Sequence, residues 1–388
     1  MVLSVPLVGG ADETMSAVVI GGGLAGAATA YRLASAGQPV VVLERDPEPA
    51  DKVCGEFLSA EAVRCLTELG IDLPRLGAVS IDRVRLLTPE HDATAELPFR
   101  AASLSRRVLD EALLERTRSV GASVRRGFSV TELEARESGS FAALSRDDQV
   151  VGDTVFLATG KHDLRGHRRP EGHHDDLIGF KLHYQLAPAQ REALEGTVEL
   201  IAFHGGYAGL QLIEDGWANL CFVVGQRRFR ELGGRFDAVL GAMCDEVEPF
   251  ARRLDGSKPR WSKPLALSNI PYGLLPRPAG PLWPLGDQAV VVPSFSGDGM
   301  SMALHSAGLA ARHYLKGRSS EAYTRHLWWH VAGQVAVATA VSRAIVDPRA
   351  QRGLGAAASR WPGLMSAVAR ATRISNRALD QSLRSATA

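Results

Sequence analysis

A glycine-rich loop near the start of the chain constrains its fold more than any other feature. The apolar residues 17–20 lead directly into residues 21–26, which read Gly-Gly-Gly-Leu-Ala-Gly. A helix of small and apolar residues follows over 24–36, and residues 39–43 form a second apolar strand closed by Glu44. This order of elements predicts a βαβ unit of the dinucleotide-binding type, in which a strand, a glycine loop, a helix, a second strand and an acid follow one another.

Three glycines of this loop each have a distinct structural role. Gly21 permits the tight turn out of the strand, Gly23 leaves room for a pyrophosphate, and Gly26 lets the helix pack closely on the strand. The backbone N–H groups at the helix start, around Leu24 and Ala25, attract phosphates together with the helix dipole. The acid that closes the second strand stands where a carboxylate accepts hydrogen bonds from an adenosine ribose. The motif predicts a dinucleotide and leaves both NAD and FAD open.

A second glycine signature, far along the chain, favours FAD. An apolar strand ends just before Asp287, whose carboxylate suits the ribityl hydroxyls of a flavin, and the loop 293–300 then opens a helix at Met300. Gly297 and Gly299 allow backbone N–H groups to approach the pyrimidine edge of a flavin ring. A helix N-terminus aimed at that edge stabilises the negative charge that a reduced flavin gathers at N1 and the C2 carbonyl.

The composition narrows the class of protein. The chain has 388 residues, enough for two domains, with 45% hydrophobic and 22% charged residues and a net charge of +1. This whole-chain balance gives no support for a nucleic-acid or an anionic-membrane partner. Four cysteines without a Cys-x-x-Cys pair argue against a disulfide framework and suit a reducing, cytoplasmic location. No segment has the length and apolar character of a membrane span, and residues 1–14 lack secretory-signal features, so we expect them to form a loose tail.

The predicted fold class is α/β, with a Rossmann-like FAD-binding domain of the glutathione-reductase type and an inserted antiparallel-sheet substrate domain. The insertion is indicated by a change of character near residue 165, after which four strand-like segments occur. They cover residues 179–186, 197–203, 207–213 and 217–224. The predicted boundaries are 15–78, 103–165 and 265–320 for the cofactor domain, 79–102 and 166–264 for the substrate domain, and 321–388 for C-terminal helices.

Five ordered blocks of the chain resemble a known family, the two-domain flavoproteins that include the para-hydroxybenzoate hydroxylase type of aromatic hydroxylase and the geranylgeranyl reductases. The blocks are residues 21–26 with Glu44, Lys52-Val53-Cys54-Gly55-Glu56, Ser105-Arg106 with Leu109-Asp110, Ala158-Thr159-Gly160, and Gly286-Asp287 with residues 293–300. The resemblance covers roughly residues 16–315 and implies FAD as the cofactor. It also implies that Arg106 contacts FAD from its helix start, that Arg45 or Lys52 lies near the phosphates, and that Cys54, Gly55 and Gly160 join the cofactor site.

Two departures from the family pattern bear on the reaction. The hydroxylases usually carry an Asp-Gly pair where this chain has Thr159-Gly160, which leaves the mode of NADPH docking open. The geranylgeranyl reductases and the related tryptophan halogenases carry a Trp-containing motif on the sheet over the flavin. The matching stretch, residues 205–213, has no Trp, which argues against both classes, whereas Cys54-Gly55-Glu56 resembles the reductase branch.

Four residues are candidates for a role in the chemistry. Cys54 is either a proton donor, a flavin contact or a packing residue, and Glu56 either orients a substrate or lies on the surface. His204 and Tyr207 flank glycines on the predicted sheet and are candidates to face the substrate, although a lone His or Tyr is more often structural. The histidines and acids within residues 167–176 lack regular ligand spacing, so no metal site is predicted.

These features lead to three alternative functions. The first is a monooxygenase that uses NAD(P)H and oxygen to form a flavin C4a-hydroperoxide, and then hydroxylates or epoxidises a hydrophobic aromatic or polyketide-like molecule of secondary metabolism, free or carrier-bound. The absence of a clear acid–base cluster in the sequence agrees with it. The second is an FAD-dependent reductase or dehydrogenase acting on a C=C bond, as in the geranylgeranyl reductases. The third is a flavin-binding protein without catalysis.

Overall fold

The predicted βαβ unit is present in the computed structural model, which describes residues 15–384. The predicted N-terminal tail lies outside the described residues. In chain order the strands are β1 (Met15–Ile20), β2 (Val40–Glu44), β3 (Phe57–Leu58), β4 (Val79–Leu87), β5 (Asp92–Ser103), β6 (Ser123–Arg126), β7 (Glu132–Ala135), β8 (Phe141–Leu144), β9 (Gln149–Leu157), β10 (Leu177–Gln185), β11 (Thr197–Phe203), β12 (Gly206–Leu212), β13 (Ala218–Gly225), β14 (Lys258–Pro259), β15 (Leu265–Ser268) and β16 (Trp283–Pro284).

Twelve helices connect and cover these strands within residues 15–384. In chain order they are α1 (Leu24–Ser35), α2 (Ala60–Glu68), α3 (Arg106–Ser119), α4 (Pro188–Glu192), α5 (Gln226–Glu231), α6 (Phe236–Glu246), α7 (Glu248–Leu254), α8 (Gly299–Leu315), α9 (Ser320–Val346), α10 (Pro348–Arg360), α11 (Gly363–Ala371) and α12 (Asn376–Leu383). The sequence predicts one helix over 236–254, but the structure breaks it at Val247. Pro249 explains the break, because its ring clashes with the preceding turn and it has no N–H to donate.

The first sheet has the order β6-β2-β1-β9-β8-β7, with β16 paired beside β9. β6, β2, β1 and β9 run parallel, and β8 and β7 continue antiparallel. Alternation along β1 sends Ala17 and Val19 into the helical layer and Val18 and Ile20 to the opposite face, where Phe141 packs. This architecture confirms the predicted Rossmann-like α/β class.

The second sheet has the order β14-β10-β13-β12-β11-β4-β5-β3, with β15 beside β10. Its pairs are antiparallel except that β11 runs parallel to β4. One face, including Phe180, Leu220 and Phe222, packs on Met243 and Phe250 of α6 and α7. The other face turns toward the first domain. β3 and β15 belong to this sheet, although the predicted boundaries assign both ranges to the cofactor domain.

The C-terminal helices cover the second sheet instead of trailing away from it. α10 and α11 pack on β4 and β5, and α12 packs on α8. Each of α9, α10 and α12 begins at a capping side chain, which satisfies free N–H groups of its first turn: Ser319, Asp347 and Ser375, respectively. α9 is 27 residues long, but neither it nor any other helix within residues 15–384 is apolar enough to cross a bilayer.

Candidate active site

A cavity of about 300 Å³ lies between the two sheets and the C-terminal helices. Its wall brings together segments that are distant in the chain: the glycine loop, residues 53–57, the 293–300 loop, the inner face of the second sheet and parts of α9–α11. The predicted cofactor residues that line it are Gly23, Leu24, Ala25, Cys54, Gly55, Arg106, Gly160, Asp287, Gly297, Gly299 and Met300. The sequence signatures at the two ends of the predicted cofactor domain therefore face a single space.

Close backbone contacts explain two of the loop glycines. Gly21 has a φ of +108°, and a Cβ there would lie 2.3 Å from the carbonyl oxygen of Ala158. A Cβ on Gly26 would lie 1.9 Å from the carbonyl oxygen of Gly21. These distances are too short for any side chain, so both glycines are needed where helix and strand meet. Glu44 accepts a hydrogen bond of 2.6 Å from the backbone N–H of Gly22, which places its carboxylate at the same loop.

Beside Gly23 lies a group of three charged side chains. Arg106 Nε is 2.7 Å from Asp110 Oδ1, and Lys52 Nζ is 2.8 Å from Asp110 Oδ2. Burial by itself raises the pKa of Asp110, but Arg106 and Lys52 outweigh it and hold that pKa below its ordinary value. Two cations against one carboxylate leave net positive charge where a pyrophosphate is predicted. Arg45 lies elsewhere, half-exposed and 3.5 Å from Asp46.

The segment that carries Cys54 is fastened to the second sheet through its backbone. Asn219 donates to the carbonyl oxygen of Gly55 at 2.8 Å, Gln211 donates to the same oxygen, and Lys161 donates to that of Val53 at 2.6 Å. The partly buried Cys54 lines the cavity. These three contacts fix where the thiol stands relative to the inner face of the sheet.

Glu56 is fully buried at the centre of an ionic cluster. Its carboxylate accepts hydrogen bonds from Lys181 Nζ at 2.5 Å, His183 Nε2 at 2.9 Å and the backbone N–H of Arg106 at 2.8 Å. Burial opposes ionisation, but the charge of Lys181 and the hydrogen bond from His183 lower the pKa of Glu56 below its ordinary value. Asp51 lies 3.6 Å from the same ammonium group. Glu56 therefore lies away from the surface, with its carboxylate engaged by protein groups.

Sequence reasoning did not identify Lys181 and His183. Both lie on the face of β10 opposite the apolar Phe180 and Leu182, as strand alternation requires. That pattern is typical of a solvent-exposed polar face, yet Lys181 and His183 are fully buried beneath the 51–57 segment. Only the tertiary packing reveals that this face is internal.

The other two candidate catalytic residues lie apart from each other. His204 is exposed in the turn between β11 and β12, and its side chain is not part of the cavity wall. Tyr207 is buried, with its hydroxyl 3.1 Å from Ser294 Oγ, which also accepts a hydrogen bond of 3.0 Å from Tyr272. Burial raises the pKa of Tyr207. Tyr272, which the sequence analysis did not single out, lines the cavity, whereas Tyr207 supports the 293–300 loop from behind.

The 293–300 loop is held by a residue from the C-terminal region. Arg373 Nη1 lies 2.9 Å from Asp298 Oδ1, and the same guanidinium donates to the carbonyl oxygen of Ser296 and lies over the ring of Phe99. Asp298 is fully buried, and burial raises its pKa to about 7 although Arg373 opposes the shift. Its Oδ2 atom has no hydrogen-bond partner within residues 15–384. Gly297 is required here because a Cβ would lie 2.5 Å from the ring of Phe57.

These features fit FAD. The glycine loop has no room for side chains at the start of α1, and positive charge stands beside it for the phosphates. At the other end of the cavity wall, the start of α8 presents its free N–H groups, and Gly299 and Met300 of this helix line the cavity. The two ends are the recognition elements that a dinucleotide with a polar ring edge needs.

Comparisons with known proteins agree with this geometry. Residues 16–100 match the model of the FAD-dependent oxidoreductase family. A menaquinone reductase from Mycolicibacterium smegmatis is 29% identical over 387 residues, covering 91% of this chain and 90% of that protein. The flavin-dependent brominase Bmp2 superposes with a TM-score of 0.74 at 17% identity, covering 92% and 93% of the two chains.

A structure of the halogenase PltM with phloroglucinol and FAD is similar as well, with a TM-score of 0.69 at 16% identity, covering 86% of this chain and 77% of that one. At this identity the two solved structures establish the fold alone. The family match and the relatives named as enzymes contradict the third interpretation, a flavin-binding protein without catalysis.

Proposed function

We propose that this protein, an FAD-dependent oxidoreductase, reduces a carbon–carbon double bond in a long apolar lipid such as the polyprenyl tail of a quinone. The observation that carries the proposal is the aliphatic character of the cavity wall beyond the cofactor residues. The likeness over nine-tenths of the chain to a protein named menaquinone reductase supports a substrate of this class.

The aliphatic lining comes from two parts of the molecule. It includes Val84, Leu86, Val198 and Leu200 from the second sheet, and Val341, Ile345, Leu354, Leu364 and Val368 from the C-terminal helices. Burial of apolar groups stabilises a bound tail by about 0.8 kcal/mol for each CH₂. An isoprene unit against this wall would therefore bind without any polar contact, with its double bond toward the cofactor side.

When bound, FAD supplies the electron pair for the reduction. The residues of this chain have the remaining tasks. Arg106 and Lys52 would hold the phosphates, and the N–H groups at the start of α8 would contact the ring edge. Saturation of the double bond requires a hydride at one carbon and a proton at the other, and the Cys54 Sγ–H lies on the cavity wall to donate that proton. The apolar side chains that α9–α11 contribute to the wall would keep water from the reacting carbons.

The test is anaerobic turnover of the FAD-loaded protein with a polyprenyl quinone, using dithionite as reductant. Dithionite also reduces the quinone ring chemically, so masses are compared after exposure to air, which reoxidises a quinol ring but not a saturated tail. The expected product is then heavier than the starting quinone by two hydrogens, and a return to the starting mass would contradict the proposal. A quinone with a fully saturated tail is the matched control and should give no lasting change. NADPH or NADH in place of dithionite then identifies the physiological reductant.

The proton role of Cys54 has its own test. Cys54→Ala should slow product formation by roughly 100-fold, the lower range for a general acid, while FAD content and the rate of flavin reduction stay unchanged. Cys221→Ala, which removes a second thiol from the same cavity wall, is the control. Equal turnover of Cys54→Ala and wild type would show that the proton comes from another group.

A monooxygenase is the second candidate. β12 carries Gly-Tyr-Ala-Gly-Leu-Gln-Leu with no Trp, which in the family resemblance favours the hydroxylases over the reductase branch. Phe57, Phe99, Phe295 and Tyr272 also line the cavity and could flank an aromatic ring. This candidate predicts a product that forms only in air and gains an oxygen atom from labelled O₂. The same anaerobic assay therefore separates the two.

A further inference from the structure

The turn between α10 and α11 exposes apolar side chains beside the cavity. Residues 361–364, which we call the 361–364 tip, read Trp-Pro-Gly-Leu. Trp361 is 63% exposed and Leu364 is 40% exposed, and both are among the most exposed large apolar residues within residues 15–384. Trp361 and Leu364 therefore leave much of their apolar surface in contact with water, and such a patch is typical of an interaction surface.

The tip is continuous with the cavity. Leu364 is exposed to solvent and also lines the cavity, followed along α11 by Met365 and Val368. At this point one side chain belongs both to the cavity lining and to the protein surface. An apolar molecule that leaves or enters the cavity here would pass along Leu364 and meet Trp361 at the surface.

The chain segment that carries the tip has charge of one sign, although the exposed Glu96 of β5 lies beside α11, where its carbonyl oxygen accepts a hydrogen bond from Ser366. Between Asp347 and Asp380 the chain contains six arginines and no acidic residue, although its overall net charge is only +1. Arg373 is internal, and Arg352 lies 3.6 Å from Glu90. The two arginines that flank the tip, Arg360 and Arg370, are both exposed. Tryptophan with flanking arginines and no acid is the composition that favours the headgroup region of an anionic bilayer.

We propose that the 361–364 tip with Arg360 and Arg370 docks on an anionic lipid bilayer, and that the lipid substrate enters the cavity there directly from the membrane. The inference rests on the proposed function in so far as a polyprenyl substrate resides in a bilayer. α11 would lie in the interfacial plane, with Leu364 and Trp361 among the acyl chains and the arginines at the phosphates. The substrate thus never crosses water as a free molecule.

The test is co-sedimentation of the full-length, FAD-loaded protein with vesicles of equal parts phosphatidylcholine and phosphatidylglycerol. We expect binding that weakens as salt is raised, and much weaker binding to phosphatidylcholine alone. Trp361→Ala should weaken binding on the order of ten-fold, and Arg360→Gln with Arg370→Gln by about thirty-fold. Trp329→Ala is the matched control, since Trp329 is 73% exposed but lies on α9, outside the arginine-rich segment. Equal losses for Trp329→Ala and Trp361→Ala would overturn the assignment.

A second readout separates this inference from the proposed function. Trp361→Ala should reduce a short-chain prenyl quinone dispersed in water at the wild-type rate, but a long-chain quinone embedded in vesicles much more slowly. Vesicle binding without reduction of any quinone would refute the proposed function and leave the docking surface standing. Reduction without vesicle binding would refute the docking surface. A dimer that dissociates on Trp361→Ala would also overturn it, because the tip would then be covered by a second copy of the chain.

Discussion

The two sides of the cavity are built in different ways. The cofactor side, formed by residues 21–26, 53–57 and 293–300, is shaped largely by backbone and glycines, and at Gly21, Gly26 and Gly297 a Cβ would come closer to its neighbours than a side chain tolerates. The substrate side, formed by the inner face of the second sheet and by α9–α11, is shaped by aliphatic side chains from many elements. A surface made of backbone atoms requires glycine at fixed positions, whereas an aliphatic surface can be formed by many combinations of apolar side chains of similar volume.

This difference shows where specificity resides in such a molecule. On the cofactor side, single changes remove a contact for which no substitute exists. On the substrate side, changes of shape alter which tail fits while the fold persists. The ion pairs of Glu56 with Lys181 and of Asp298 with Arg373 join the two sides, so they are the places where the comparison is most easily tested.

The largest effect is expected at the ion pair of Glu56 with Lys181. Lys181→Met leaves Glu56 buried with less compensation, which should lower the free energy of unfolding by about 3–5 kcal/mol. Urea denaturation of the FAD-free protein measures it. Lys263→Met, at an exposed position, is the control and should change little. Adding Glu56→Gln to Lys181→Met should recover part of the loss, and a double variant no more stable than Lys181→Met would show that the pair does not act as argued.

The next effect is expected on the cofactor side. Gly26→Ala forces a Cβ to within 1.9 Å of the Gly21 carbonyl oxygen, so strand and helix must separate. We expect a loss of about 3 kcal/mol in stability, at the upper end for overpacking, together with loss of bound FAD, seen as a colourless purified protein. Gly241→Ala in α6 meets nothing within 4 Å and should keep FAD and full stability. A yellow, stable Gly26→Ala protein would contradict the role given to this contact.

The same contrast explains how much the sequence could predict. The glycine loop, the 293–300 loop and the parallel sheet leave local patterns, because backbone recognition requires glycine at fixed spacing. The second sheet was predictable as strands from its alternation. The sequence does not predict which face of this sheet is internal, because the polar Lys181 and His183 suggest a solvent-exposed face. The contact of Arg373 with Asp298 is not predictable either, since it joins residues without any local pattern. The C-terminal helices give no sign in the sequence that they close the cavity.

A pH-dependent effect is expected at the ion pair of Asp298 with Arg373. Burial raises the pKa of Asp298 to about 7, so between about pH 4 and 7 the folded protein holds a proton that the unfolded chain releases. Stability contributed by this group is therefore greatest at low pH and falls as pH rises through that window. The Asp298→Asn side chain has no proton to lose. Its free energy of unfolding should therefore rise relative to that of the wild type by about 1.4 kcal/mol for each pH unit from pH 5 to 6. Exposed Asp255→Asn should show no such trend.

The smallest effect is expected at Tyr207, which lies behind the cofactor side and outside the cavity wall. Tyr207→Phe removes one hydrogen bond to Ser294 Oγ, while Tyr272 continues to donate to the same oxygen. The cost should be about 1 kcal/mol of stability, with turnover of the quinone unchanged. Tyr272→Phe is the paired variant, since it removes a hydroxyl from the cavity wall itself and should alter the apparent KM. If Tyr207→Phe abolished turnover at wild-type FAD content, the second sheet would contribute a catalytic hydroxyl, and the division between a backbone-built cofactor side and an aliphatic substrate side would fail.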